Sequence, residues 1–289
     1  MKPEFVLPDD LPLDHEQRTA LGLAMKRMLG YRPRVGVIGK TGAGKSSLCN
    51  VLFGADAAAV DDVAATTRAP QSLALDLGGH GALTLVDLPG VGENLTRDGE
   101  YAGLYARELP RLDALLWLVK ADDRSLSVDE LFYRDVVAPH LAQGLPCLFV
   151  VSQADRMEPV RQWDMSAGQP GPDQRDNLAR RADQIAATFG IGPEHVRVVS
   201  AREGYGLAGL VETLLTALPD EKRVGLFQAV SKPWRSERAR STVRDSVAEV
   251  LKRTLDGMSR GAGLGARWGK PGMVLGAIAG AVAGYLEWW

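Results

Sequence analysis

The chain has 289 residues, 45% hydrophobic and 24% charged, ordinary for a globular protein and enough for one large domain with an extension or for two small ones. A net charge of −2 argues against nucleic-acid binding by the chain as a whole, and its two cysteines, Cys49 and Cys147, exclude a disulfide framework and read as small core residues in a reducing compartment. The charge is unevenly placed: from Asp220 to Trp289 there are 12 Lys and Arg against 7 Asp and Glu, a surplus that leaves the preceding part at −7 and makes an anionic partner, a lipid surface or RNA, the expectation for this end.

The opening MKPEFVLPDDLP is too acidic and proline-broken for a signal peptide, so a cytoplasmic location is expected. Residues 14–29 carry Leu21, Met25, Met28 and Leu29 at i, i+4, i+7, i+8, the apolar stripe of a helix expected to pack on the outside of the domain. Apolar runs of strand length follow at 35–38, 72–77, 83–87, 114–119, 147–151 and 196–200. Helical stretches at 45–53, 100–109, 128–142, 176–189 and 207–218 separate most of them, which predicts an α/β fold on a six-stranded, mostly parallel sheet. The second and third strands are joined by residues 78–82, too short for a parallel crossover, so one antiparallel edge strand is expected. Residues 157–175, rich in Pro, Gly and polar side chains, read as a surface loop. Residues 221–258 read as helical, interrupted at Pro233. The expected organisation is a helical segment over 1–32, a nucleotide-binding domain over 33–218 and a helical extension over 219–289.

GKTGAGKSSL, from Gly39 to Leu48, contains the full phosphate-loop pattern Gly39-x-x-x-x-Gly44-Lys45-Ser46 between a strand and a helix. Its glycines let backbone N–H groups turn inward onto phosphate, the Lys45 ammonium adds a charge at the β- and γ-phosphates, and the Ser46 hydroxyl can ligate Mg²⁺. The helix N-terminus favours the same anion. Thr41, Gly42, Ala43 and Ser47 complete the expected phosphate cradle. Asp87-Leu88-Pro89-Gly90 closes a later strand as D-x-x-G, with Asp87 a candidate Mg²⁺ holder through water and the Gly90 N–H facing the γ-phosphate. Thr67, in the AATTR linker, is placed to close on Mg²⁺ and the γ-phosphate. Lys45, Thr67 and Gly90 are the candidate catalytic residues.

Taken in order, GKTGAGKSSL, TTR, DLPG, SQAD and SA resemble an Era-like GTPase of the translation-factor class, and most nearly the bacterial YfjP/YeeP-like set described as 50S-ribosome-binding GTPases. The resemblance covers residues 34–218. It implies GTP and GDP as ligands, Mg²⁺ as cofactor and GTP hydrolysis as the activity. It also implies that Asp155 reads guanine N1–H and the 2-amino group, and that Ser200-Ala201 supplies a backbone N–H to guanine O6. The family's base-reading motif is Asn/Thr-Lys-x-Asp; here Ser152 replaces the first residue and Gln153 the lysine, whose stem normally covers the base. Weaker guanine affinity with retained preference is expected. Val91 stands where Ras-type enzymes carry a water-orienting glutamine, so slow intrinsic turnover is expected; Glu93 and Asn94 are nearby substitutes or plain solvated polars. Some Era-like members carry an asparagine at the Gly42 position that ligates K⁺, so K⁺-dependent catalysis is not expected.

Beyond the motifs, Gly272, Gly276, Gly280 and Gly284 repeat every four residues in an uncharged run that ends in Trp288-Trp289. On a helix they form one flat stripe. Three readings of 271–289 stay open: a membrane-associated helix at the inner face of the membrane, a helix packing on its own domain or on a second copy, and a flexible tail. Arg235, Arg238, Arg240 and Arg244 are candidates for contact with lipid or RNA phosphates, a ribosome included, or form a solvated helix face.

Overall fold

A computed structural model describes residues 7, 11, 13–54, 71–76, 82–88, 98–123, 125–261, 280 and 284; for 71–76, 82, 87, 98–102 and 259–261 the description is of the backbone. Thr67, Gly90, Val91, Glu93 and Asn94 lie outside these residues, as does the glycine-repeat tail apart from Gly280 and Gly284.

The chain alternates strand and helix in the order α1 (His15–Gly30), β1 (Arg34–Gly39), α2 (Lys45–Phe53), β2 (Gln71–Asp76), β3 (Ala82–Asp87), α3 (Asp98–Glu108), β4 (Ala114–Lys120), α4 (Ser127–Phe132), α5 (Ala138–Leu141), β5 (Cys147–Ser152), α6 (Pro172–Phe189), β6 (Val196–Val198), α7 (Leu207–Ala217), α8 (Asp220–Ala229) and α9 (Glu237–Gly261). The strands form one sheet in the order β2-β3-β1-β4-β5-β6. β3, β1, β4, β5 and β6 run parallel, and β2 pairs antiparallel with β3. Side chains alternate across each strand, so one apolar run feeds two cores. From β4, Leu116 and Leu118 join the cluster built with α1, α2, α7, α8 and α9; Leu115, Trp117 and Val119 join the opposite one, under α3 to α6. In the second cluster Trp117 stacks on Phe149 with ring centroids 5.4 Å apart.

Local chemistry moves some boundaries from their expected places. Asp14 caps α1: its carboxylate accepts the Gln17 N–H at 2.8 Å while the Gln17 side chain accepts the Asp14 N–H at 3.0 Å. α6 starts at Pro172, four residues earlier than expected, because proline is preorganised for the first helical position and Gln174 accepts the Gly171 N–H at 3.2 Å. The helix expected over 128–142 contains a π turn, Tyr133–Val137. Pro139 has no N–H to offer the carbonyl four residues back, which loosens the ladder there. β6 stops at Val198, short of Ser200, because Ser200 turns to pair with Tyr205 instead.

α1 packs on the body of the domain through its apolar stripe. Leu21, Met25 and Met28 are buried in the same cluster as Val243, Val247 and Leu251 of α9 and Leu226 of α8. Asp113, buried ahead of β4, fastens this layer to the sheet: it accepts the Tyr31 hydroxyl at 2.7 Å, the Arg34 N–H at 2.7 Å and the Lys222 ammonium at 2.6 Å. The link from α8 to α9 reaches the far end of α2, where Ser231 N–H donates to the Leu52 carbonyl at 2.6 Å and Trp234 Nε1–H to the Val51 carbonyl at 2.8 Å. Arg235 is withdrawn from the candidate phosphate contacts: it is buried, and its guanidinium donates to the carbonyls of Val230 and Gln228. Burial, then the nearby Arg240 charge, pushes its pKa down to about 10. Arg238 and Arg244 stay on the surface, beside Glu212 and Glu237. Among the described residues, no helix is long and apolar enough to cross a membrane.

Asp113→Ala strips an acceptor from three donors at once. The expected loss is roughly 3 kcal/mol in urea denaturation, the low end for breaking a buried charge pair, because Lys222 keeps partial access to water. A loss below about 1 kcal/mol would put the clasp in the class of surface ion pairs.

Candidate nucleotide site

Every motif on parallel strands stands at the carboxyl edge of the sheet, where ligands of open α/β folds bind. β1 runs directly into the phosphate loop. Gly39 sits at φ 151° with its Cα against the neighbouring strand; a Cβ there would fall 2.6 Å from the Leu118 carbonyl oxygen. Gly44 caps α2 at φ 86°, in the left-handed region, and Lys45 is the first residue of the helix. Thr41, Ser46 and Ser47 are exposed on this rim, and Ala43 is buried. The Lys45 ammonium donates to the Gly39 carbonyl at 3.0 Å. Asp87 ends β3 in register with Val37, so its backbone lies one strand from the start of the loop.

The end of β5 holds the loop from behind. Ser152, buried, donates its hydroxyl to the Ala43 carbonyl at 2.7 Å and lies 3.3 Å from that of Val119. Gln153 donates Nε2–H to the Gly42 carbonyl at 2.7 Å. It does so from φ 57°, and among the described residues it is the one non-glycine with positive φ. Such a backbone costs about 1–2 kcal/mol in a residue without a local bonding excuse. The amide is therefore engaged with the phosphate loop. Two residues on, Asp155 accepts the Ser200 hydroxyl at 2.6 Å, and Glu203 N–H donates to the same hydroxyl oxygen at 3.2 Å. A cavity of 230 Å³ opens between these parts, lined by Ala43, Gly44, Ser152, Gln153, Asp155 and Ala201, with Arg156 and Arg202 at its edge. The structure thus brings the phosphate loop, Gln153, Asp155, Ser200 and Ala201 to one site.

The family model described as 50S ribosome-binding GTPase matches residues 34–152. The Escherichia coli protein YfjP is 42% identical over 236 residues, which span 81% of this chain and 79% of that one. YkfA, also from E. coli, is 41% identical over the same shares. This chain belongs to their family of P-loop GTPases. GTPase Era of Aquifex aeolicus is a more distant relative, 25% identical over 66% of this chain and 58% of its own.

Sequence reasoning passed over Lys40, which has a separate task in this GTPase. Its ammonium lies 2.9 Å from Asp123 and 2.8 Å from Asp129, and it also donates to the Ser125 carbonyl. Burial lowers the Lys40 pKa, but the two carboxylates outweigh it and hold the ammonium above its usual range. Burial likewise pushes Asp123 up, yet the Ser125 N–H and Lys40 hold it below the usual carboxylate range. At Asp129 burial wins and the carboxyl is raised. Lys40 was hidden because it occupies a position the motif leaves free, and its partners lie more than eighty residues away. Arg156 and Arg202 were missed for a similar reason: charged residues after a turn read as solvated.

Ser152→Ala leaves the inward-facing Ala43 carbonyl without its donor. The expected cost is about 1–2 kcal/mol of stability, read in denaturant without nucleotide, and Ser152→Thr should recover most of it. An unchanged denaturation midpoint in Ser152→Ala would show that water replaces the hydroxyl.

Proposed function

We propose that the protein binds GTP at this site, hydrolyses it slowly to GDP and phosphate, and changes state with the nucleotide. The observation that supports the reading best is the convergence of the phosphate loop, through Ala43 and Gly44, with Asp155 on one cavity. The phosphates would lie over the Gly39–Ser46 backbone with Lys45 turning from the Gly39 carbonyl toward them. The base would enter beside Asp155, whose carboxylate has acceptor capacity beyond the Ser200 hydroxyl and can take guanine N1–H and the 2-amino group. Adenine lacks that donor pair. Ala201 N–H is the reading group proposed for guanine O6.

The donor set fits Mg²⁺. The exposed Ser46 hydroxyl on the first turn of α2 and the carboxylate of Asp87 at the end of β3 are hard oxygen ligands, with Thr67 as the proposed third. When bound, Mg²⁺ neutralises charge on the β- and γ-phosphates. Slow turnover is proposed because Val91 has no group that orients water, and Thr67 with residues 87–94 is the proposed moving part.

A second reading, an adaptor that contacts ribosomal RNA or a membrane surface through residues 219–289, draws on the positive surplus of that segment and on exposed Arg238 and half-buried Arg244, Arg235 being excluded. A location in the cytoplasm or at the inner face of its membrane goes with either reading.

Lys45→Ala should abolish GTP binding in isothermal titration; retained affinity and turnover would remove the phosphate loop from the mechanism. The unmodified protein should prefer GTP to ATP, and Asp155→Asn should shift the preference toward xanthosine nucleotides, since the donor and acceptor pattern at the base edge inverts. Equal binding of ATP and GTP by the unmodified protein would contradict guanine reading by Asp155.

A further inference from the structure

Among the described residues three lysines stand around the phosphate loop, and two are committed. Lys40 is paired with Asp123 and Asp129, and Lys45 belongs to the motif itself. The third, Lys120, ends β4 opposite Ser152 of β5, in a backbone pinned by the Ala121 N–H donating to the Ser152 carbonyl at 2.9 Å. Its side chain reaches Gly42: a Cβ on that glycine would lie 3.4 Å from the Lys120 ammonium and 3.7 Å from its Cε. Among the described residues the ammonium has no hydrogen-bond or ion-pair partner. The two acidic residues next in sequence do not neutralise it, since Asp123 is turned to Lys40 and Asp122 forms no ion pair among the described residues.

Gly42 is thus flanked by two side chains, one from the end of β4 and one from the turn that follows β5. Gln153 holds its carbonyl, and Lys120 lies over its Cα. A half-buried ammonium with no partner among the described residues, set beside a loop that turns its N–H groups inward, adds to the attraction of that loop for an anion. We infer that Lys120 makes an ionic contact with the bound guanine nucleotide, supplying from the end of β4 the positive charge that the base-reading segment lacks at Gln153. The inference rests on the nucleotide-binding reading of the site. It makes Lys120 and Gln153 a divided pair: one side chain fastens the loop and the other meets the ligand.

The test uses the full chain and GDP in isothermal titration at low and high salt. Lys120→Met keeps most of the stem and removes the charge. It should weaken GDP binding roughly ten- to hundredfold, the range for a hydrogen bond to a charged group, and flatten the salt dependence. Lys120→Arg should stay near the unmodified affinity. The exchange Lys120→Gln with Gln153→Lys, which carries the ammonium across Gly42, should bind GDP more tightly than Lys120→Gln alone. Binding by Lys120→Met within about twofold of the unmodified protein at both salts would overturn the inference, as would an exchange variant no better than the single one. Should Lys120→Met not fold, Lys120→Gln takes its place under the same criteria. If the unmodified chain itself fails to bind GDP, the nucleotide-binding reading falls instead.

Discussion

A loop that aims its N–H groups at a ligand must turn its carbonyls away, and each carbonyl then needs a donor from elsewhere. This constraint organises the site. The Gly39 carbonyl takes the Lys45 ammonium, that of Lys40 takes the Ala43 N–H at 3.0 Å, and that of Gly44 takes the Leu48 N–H at 2.9 Å inside α2. Two further donors come from the end of β5, more than a hundred residues away: Gln153 for Gly42 and Ser152 for Ala43. The strand that leads to Asp155 therefore also holds the phosphate loop in shape. Base side and phosphate side cannot drift apart without breaking a buried hydrogen bond.

The same donors account for the strained backbone at Gln153. A left-handed conformation in a glutamine persists when its surroundings over-determine it. Here the hydrogen bond from the side-chain amide to the Gly42 carbonyl, the Arg156 N–H on the Gln153 carbonyl at 2.9 Å and the Ala154 N–H on the Val199 carbonyl at 3.0 Å fix the turn from three sides. Asp155 emerges from that turn already held by Ser200. Preorganisation of this kind lowers the ordering cost of binding.

Much of the layout was legible in the sequence because its signals are local. The phosphate-loop pattern lies between a strand and a helix whose bounds, 45–53, follow from the glycines at either end, and the apolar run of β4 is dense enough to mark a strand buried on both faces. What stayed hidden depends on distant partners. Lys120 looks like the polar end of a strand until the fold sets it over Gly42. Arg235 looks like part of a basic surface until Val230 and Gln228 take its guanidinium. Gln153 reads as a lost lysine until its amide is seen on the Gly42 carbonyl. The early start of α6 is a nearer miss, since Gly171-Pro172 is itself a helix-start signal, one outweighed by the Pro, Gly and polar content around it.

The C-terminal anchor on α2 has a consequence for where the nucleotide-binding unit ends. α2 is nine residues long, with the phosphate loop at its first turn, and its last carbonyls would face an apolar core unpaired without Ser231 and Trp234. The chain therefore travels some 180 residues before it finishes the helix that begins at Lys45. A fragment cut after the last guanine-reading element, at the close of α7, would keep every recognised motif and still leave the base of that helix open to solvent. Two donors that close the far end of this helix thus lie outside the segment that carries the motifs.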